Sequence, residues 1–203
     1  MGLLRSIFGP SKEEIWSQLA REIDAEFVEG SFWKGSLVRA QYKQWTLTLD
    51  TFTVSTGKNS TTYTRMRAPY VNPDGFQFTI YRTGFFTGLG KMLGMQDIEI
   101  GDAAFDRDFV CKGNQPEQVI RLLNNPVLRD LIYQQPEIYL HVRDDEGWFG
   151  ATFPEGVDEL CFQVVGVIKD VERLKALYLL FAEVLNTLCH VGSAYEDDPL
   201  LHF

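Results

Sequence analysis

The sequence predicts an α+β fold: antiparallel sheets in two meander-like strand sets, an arrangement that can also be barrel-like, packed by an N-terminal helix, two short middle helices and a long C-terminal helix. Three observations carry this. Trp45, Leu47 and Leu49 alternate with Thr46, Thr48 and Asp50, the texture of a half-buried strand. Successive strand-like runs are separated by turn residues rather than helices, which implies antiparallel pairing instead of βαβ winding. Beyond Asp170, the residues Val171, Leu174, Leu177, Tyr178, Phe181, Leu185 and Leu188 fall on one apolar stripe at helical spacing.

Taken in order, Ser11 and Glu14 spell a capping box after Pro10, and Ile15, Trp16, Leu19, Ala20 and Ile23 recur on one face, predicting a helix over Lys12 to Phe27. A strand from Leu37 to Tyr42 is followed by the Trp45 strand, prolonged by Phe52 and Val54. The polar run Ser55 to Ser60, with Gly57 and Asn59, turns the chain into a strand over Thr61 to Ala68. Asn72, Pro73, Asp74 and Gly75 then turn it toward Phe76, Phe78 and Ile80.

Phe105 to Cys111 reads as a strand. Asn114 and Asn125 read as N-caps of two short helices, with Pro116 and Pro126 in their first turns. Strands are expected over Glu137 to Arg143, Trp148 to Phe153 and Glu159 to Val167, the first pair joined by the acidic turn Asp144 to Gly147. Asp170 caps the long helix, which closes near Gly192. No repeat and no Gly/Pro/Ser-rich linker divides the chain, so residues 1–203 read as one domain, with sheet subdomains at 28–96 and 97–192 as a finer division.

Composition narrows the function classes. A formal charge of −9 disfavours a nucleic-acid backbone as partner, because phosphate binding needs clustered Lys and Arg. Cys111, Cys161 and Cys189 form no CxxC or Cys/His pattern, so neither a disulfide framework nor a zinc site is written, and the thiols read as reduced and mostly buried. The start lacks a secretory signal pattern, no uncharged apolar run reaches the roughly 18 residues of a bilayer span, and a cytoplasmic location is expected. No cofactor is implied.

The segment between Arg82 and Gln96 is the candidate working surface. Phe85, Phe86, Gly88, Leu89, Gly90, Lys91 and Met92 superficially resemble a phosphate-binding loop, but Phe85 stands where that pattern needs Gly and Met92 where it needs Ser or Thr. Interleaved aromatic, aliphatic and glycine residues give instead an apolar, pliant segment that either packs as a core-covering turn or meets a protein or membrane surface. The N-terminus offers a second contact of this kind: Gly2 and Ser6 match a myristoylation pattern, and Leu3, Leu4, Ile7 and Phe8 can form an amphipathic turn.

His141 shares a strand face with Tyr139 and Arg143 near the acidic turn. It is the candidate base of an alternative, hydrolase-like reading, set against a half-exposed strand histidine and the lack of a nucleophile elbow. His190 beside Cys189 has only adjacency. Asp102, Asp106 and Asp108 lack the glycine turn and terminal Glu of a calcium loop and read as a solvated acidic face. The run Gly94-Met95-Gln96-Asp97-Ile98-Glu99-Ile100-Gly101-Asp102, with Phe105-Asp106 and Phe109-Val110, resembles uncharacterised bacterial proteins classed as domains of unknown function. That resemblance spans Gly94 to Leu131, implies a short helix pair after it and a bacterial cytosolic origin, and transfers no catalytic residue. The prediction is a non-enzymatic binding or interaction module.

Overall fold

The computed structural model describes residues 9–31, 35–84, 96–144 and 153–201. In chain order these form α1 (Lys12–Glu22), β1 (Glu26–Val28), β2 (Leu37–Tyr42), β3 (Trp45–Thr56), β4 (Asn59–Val71), β5 (Phe78–Arg82), β6 (Gln96–Ile98), α2 (Ala103–Asp108), β7 (Phe109–Gly113), α3 (Pro116–Leu123), α4 (Pro126–Tyr133), β8 (Tyr139–Arg143), β9 (Val157–Val165) and α5 (Val171–Val191). The α+β class holds.

All these strands belong to one antiparallel nine-stranded sheet, ordered β1-β2-β3-β4-β9-β8-β5-β7-β6. The end strands β1 and β6 do not meet, so the sheet is open and not a barrel. The two expected strand sets are one layer because β9 pairs along β4 from Tyr63↔Val165 to Val71↔Val157, satisfying an edge that would otherwise be exposed. β5, from the first half of the chain, is inserted between β8 and β7.

Several boundaries differ from expectation for local reasons. The helix α1 stops at Glu22 rather than Phe27, because Asp24 takes φ 53° and the Ala25 N–H turns back to the Ala20 carbonyl; Glu26 to Val28 then becomes an edge strand. Ser11 and Glu14 do make the reciprocal capping box. Where a strand was expected from Phe105, a helix runs to Asp108 first, because the Asp102 carboxylate accepts from the Ala104 and Phe105 N–H groups and nucleates α2. Asn114 caps no helix: its side chain accepts from the Gln77 N–H and donates to the Gly75 carbonyl, tying two turns together. Asn125 and Asp170 cap α4 and α5, and Gly192, at φ 85°, closes α5 in the left-handed region that glycine tolerates. The expected strand over Trp148 to Phe153 lies outside the described residues except for Phe153.

The core follows from register. Leu49, Met66, Phe162, Leu140, Ile80, Cys111 and Ile98 are successive cross-strand partners from β3 to β6 and so share one face. The helices cover that face: α5 contacts α1, α3 and α4, α1 contacts β2, and α3 contacts β7. Polar tips inside this layer are matched, with Trp16 Nε1 donating to the Ile168 carbonyl at 3.1 Å and Tyr178 OH to the Val38 carbonyl at 3.2 Å. The helix α5 is long and apolar enough to cross a membrane by length and composition, and here it is the central core helix, with Leu174, Leu177, Phe181 and Leu188 buried.

Candidate functional site

Chemistry-bearing residues gather on the sheet face opposite the helices. One residue along from the core row, Thr48, Arg67, Cys161, His141, Thr79, Lys112 and Asp97 are successive partners across the same strands, and strand alternation turns them all to this second face. An ion-pair ladder lies on that face. Asp50 accepts from Arg65 Nε at 2.9 Å, from Arg65 Nη2 at 2.8 Å and from Arg67 Nη2 at 2.8 Å. Glu159, fully buried, accepts from Arg143 Nε at 2.7 Å and has Arg67 Nη1 at 3.9 Å. Arg67 thus bridges the two carboxylates, which is how a buried negative charge is tolerated.

His141 is buried rather than half-exposed, its ring 4.5 Å from that of Tyr139 and its cross-strand neighbours Thr79 and Cys161. Burial, reinforced by the Arg143 guanidinium, pushes its pKa down to about 3, so the imidazole stays neutral at ordinary pH. Burial, with the Glu159 carboxylate adding to it, pushes the Cys161 thiol up to about 12. The two groups sit side by side uncharged: an un-ionised thiol and a neutral imidazole that burial makes a weak base. Asp144 is exposed, and the rest of the acidic turn lies outside the described residues.

The other sequence candidates disperse. Asp102 is the α2 cap, Asp106 accepts from the Ile100 and Gly101 N–H groups, and Asp108 pairs with Arg107, so their oxygens serve backbone and guanidinium. Among the described residues no group of three or more His, Cys, Asp or Glu could hold a metal ion. His190 is exposed on α5, beside a half-buried Cys189. Phe85, Phe86, Gly88, Leu89, Gly90, Lys91 and Met92 lie outside the described residues, as do Gly2 to Phe8. On either side of that segment, Arg82 stands opposite Phe109 and Gln96 opposite Gly113, at the two ends of β7.

A feature that strand and helix patterns did not single out lies at the other end of the sheet, on its helix face. Ala40, Tyr42 and Leu47 floor a groove of about 410 Å³ walled by Ile23 and by Tyr178, Leu179 and Ala182 of α5. The Glu22–Lys175 ion pair sits on its rim. Leu179 keeps 61% of its surface exposed there. The available signal was Leu179 itself, an aliphatic residue outside the core stripe of α5.

No protein-family model and no curated protein matches the chain. Among solved structures the chain is similar to the crystal structure of the mycobacterial trehalose monomycolate transport factor A, with TM-score 0.53 and 9% sequence identity over 87% of this chain and 95% of that one; the likeness is one of fold.

Proposed function

We propose that the chain is a non-enzymatic binding module whose contact surface includes the apolar, glycine-rich segment Phe85, Phe86, Gly88, Leu89, Gly90, Lys91 and Met92. The observation that carries this reading is the state of the reactive groups on the sheet. His141 and Cys161 are buried and uncharged, and the carboxylates Asp50 and Glu159 on the same face are engaged by Arg65, Arg67 and Arg143, so among the described residues this face holds an ion-paired layer around a weak base and an un-ionised thiol. Arg82 and Gln96, held at the two ends of β7 on either side of the segment, support its role, because ends fixed on a sheet lower the ordering cost of a contact. A fold shared with a protein named as a transport factor is in keeping with binding rather than turnover.

The partner on this reading is a protein or membrane surface, met by aromatic and aliphatic side chains. Flotation with liposomes and pull-down against soluble extract compare the wild-type chain with Phe85→Ser/Phe86→Ser. Loss of binding by a variant with unchanged circular dichroism is expected, and undiminished binding by such a variant would sink the reading. Generic ester, phosphate and glycoside substrates are expected to remain unturned; turnover abolished by His141→Ala would replace the binding reading with the hydrolase one.

A further inference from the structure

At one end of the sheet, carboxylates meet without a cation. Tyr70 of β4 and Asp158 of β9 are direct cross-strand partners, and the β8–β9 register, whose last pair is Arg143↔Glu159, brings Asp144 opposite Asp158 one step further. Like charges directly opposite destabilise an antiparallel pair. Burial sharpens the conflict, since Asp158 keeps only 8% of its surface exposed. Its Oδ2 accepts from Asn72 Nδ2 at 2.5 Å, and Asp74, in the same turn as Asn72, accepts from Ser193 Oγ at 2.8 Å. Among the described residues no Lys, Arg or His pairs with Asp74, Asp144 or Asp158. Glu159, the next residue, shows the contrast: buried on the opposite face, it is answered by Arg143 and Arg67.

A second observation marks the same place. Tyr70 is fully buried, and its hydroxyl has no hydrogen-bond partner. Burial pushes its pKa well up and the Asp158 and Asp74 carboxylates add to the push, so the hydroxyl lies within their field. A buried polar atom without a protein partner points to a bound ion or water, and a buried carboxylate needs a counter-charge. One cation answers the opposed aspartates and the phenol together. We propose that Asp144, Asp158 and Tyr70 form a binding site for a hard divalent cation, Mg²⁺ or Ca²⁺, beside the turn from Asn72 to Gly75. Oxygen donors alone select that class over zinc or copper, which favour nitrogen and sulfur. Two carboxylates and one neutral oxygen leave the other coordination positions to water, as Mg²⁺ in particular prefers. A two-carboxylate site is in keeping with the lack, among the described residues, of any metal-holding group of three His, Cys, Asp or Glu. The inference does not depend on residues 85–92, and either can fail alone.

The test titrates the purified full chain, stripped with EDTA, with Tb³⁺, a Ca²⁺ surrogate whose emission a nearby tyrosine sensitises, and then displaces it with Ca²⁺ or Mg²⁺. Thermal melting is followed in parallel. Saturable emission displaced by either ion is expected, with a dissociation constant on the order of 10⁻⁴ M, together with a rise in melting temperature when Ca²⁺ or Mg²⁺ replaces EDTA. Asp158→Asn should weaken Tb³⁺ binding about tenfold and abolish the melting rise. Asp144→Asn, at an exposed position that leaves the core untouched, should do the same and decides the matter if Asp158→Asn fails to fold. Asp130→Asn, which removes an exposed carboxylate on α4, should change neither readout. No melting rise in the wild type at up to about 10 mM Ca²⁺ or Mg²⁺ would overturn the proposal. So would Tb³⁺ emission that neither ion displaces, or that persists undiminished in folded aspartate variants.

Discussion

His141 shows how one side chain reports its surroundings. Its pKa is about 3 in the fold and near the ordinary histidine value of about 6.5 when unfolded, so below neutrality the unfolded chain takes up a proton that the folded chain refuses. The stability this contributes is complete above about pH 6.5 and is lost as pH falls toward the folded pKa, at about 1.4 kcal/mol per pH unit. Urea unfolding of the wild type at pH 7, 5.5 and 4.5 should show that slope superimposed on the carboxylate contributions, and His141→Gln should flatten it by about that amount. Equal slopes in the two proteins would contradict the buried neutral imidazole. Arg143 makes the complementary point. Arg143→Met leaves the fully buried Glu159 with its closest hydrogen-bonding guanidinium removed, and a loss of about 3 kcal/mol in urea unfolding at neutral pH is expected.

At the scale of elements, three of the expected caps were legible, Asn114 was not a cap, and boundaries shifted. Ser11, Asn125 and Asp170 announce their helices because a cap is a local exchange between a side chain and N–H groups two or three residues on. Asp102 does the same for α2, yet the run from Phe105 has strand texture, and only the packing of Phe105 against Phe109, rings 4.7 Å apart, places a helix before the strand. Gly113 illustrates a contact between elements that no local pattern contains. A Cβ there would stand 2.6 Å from Val119 Cγ2 and 3.1 Å from the Gln77 carbonyl oxygen, so α3 can lie on β7 only over a glycine. Gly113→Ala should cost about 2 kcal/mol through overpacking, measured as a shift in the urea midpoint with unchanged slope. Ser11→Ala, which removes half of the capping box, should cost about 1 kcal/mol by the same assay.

Across the whole molecule, one sheet is assembled from both halves of the chain. β4 borders β9, and β5 is clasped between β8 and β7, so the two expected strand sets have no separate edges. Phe162 sits in the middle of the row, fully buried between Met66 and Leu140, and Phe162→Ala should cost about 4 kcal/mol through lost transfer energy and a cavity. Because β9 joins the two sets, that loss should appear as one cooperative transition, with tryptophan fluorescence and far-ultraviolet circular dichroism coinciding. Separated transitions would show that the two strand sets unfold independently.

By itself the sequence determined the fold class, the caps at Ser11, Asn125 and Asp170, the turns between β3, β4 and β5, and the inward face of most described strands, because each depends on residues within a few positions of one another. It also marked His141 and the segment from Phe85 to Met92 as the places to look. Tertiary structure alone decided that His141 lies buried beside Cys161, that Arg67 bridges Asp50 and Glu159, and that Leu179 stands exposed over a groove floored by β2 and β3. Those relations depend on the register between strands far apart in the chain. Alternation tells which face a residue takes but leaves open which strand stands next to it.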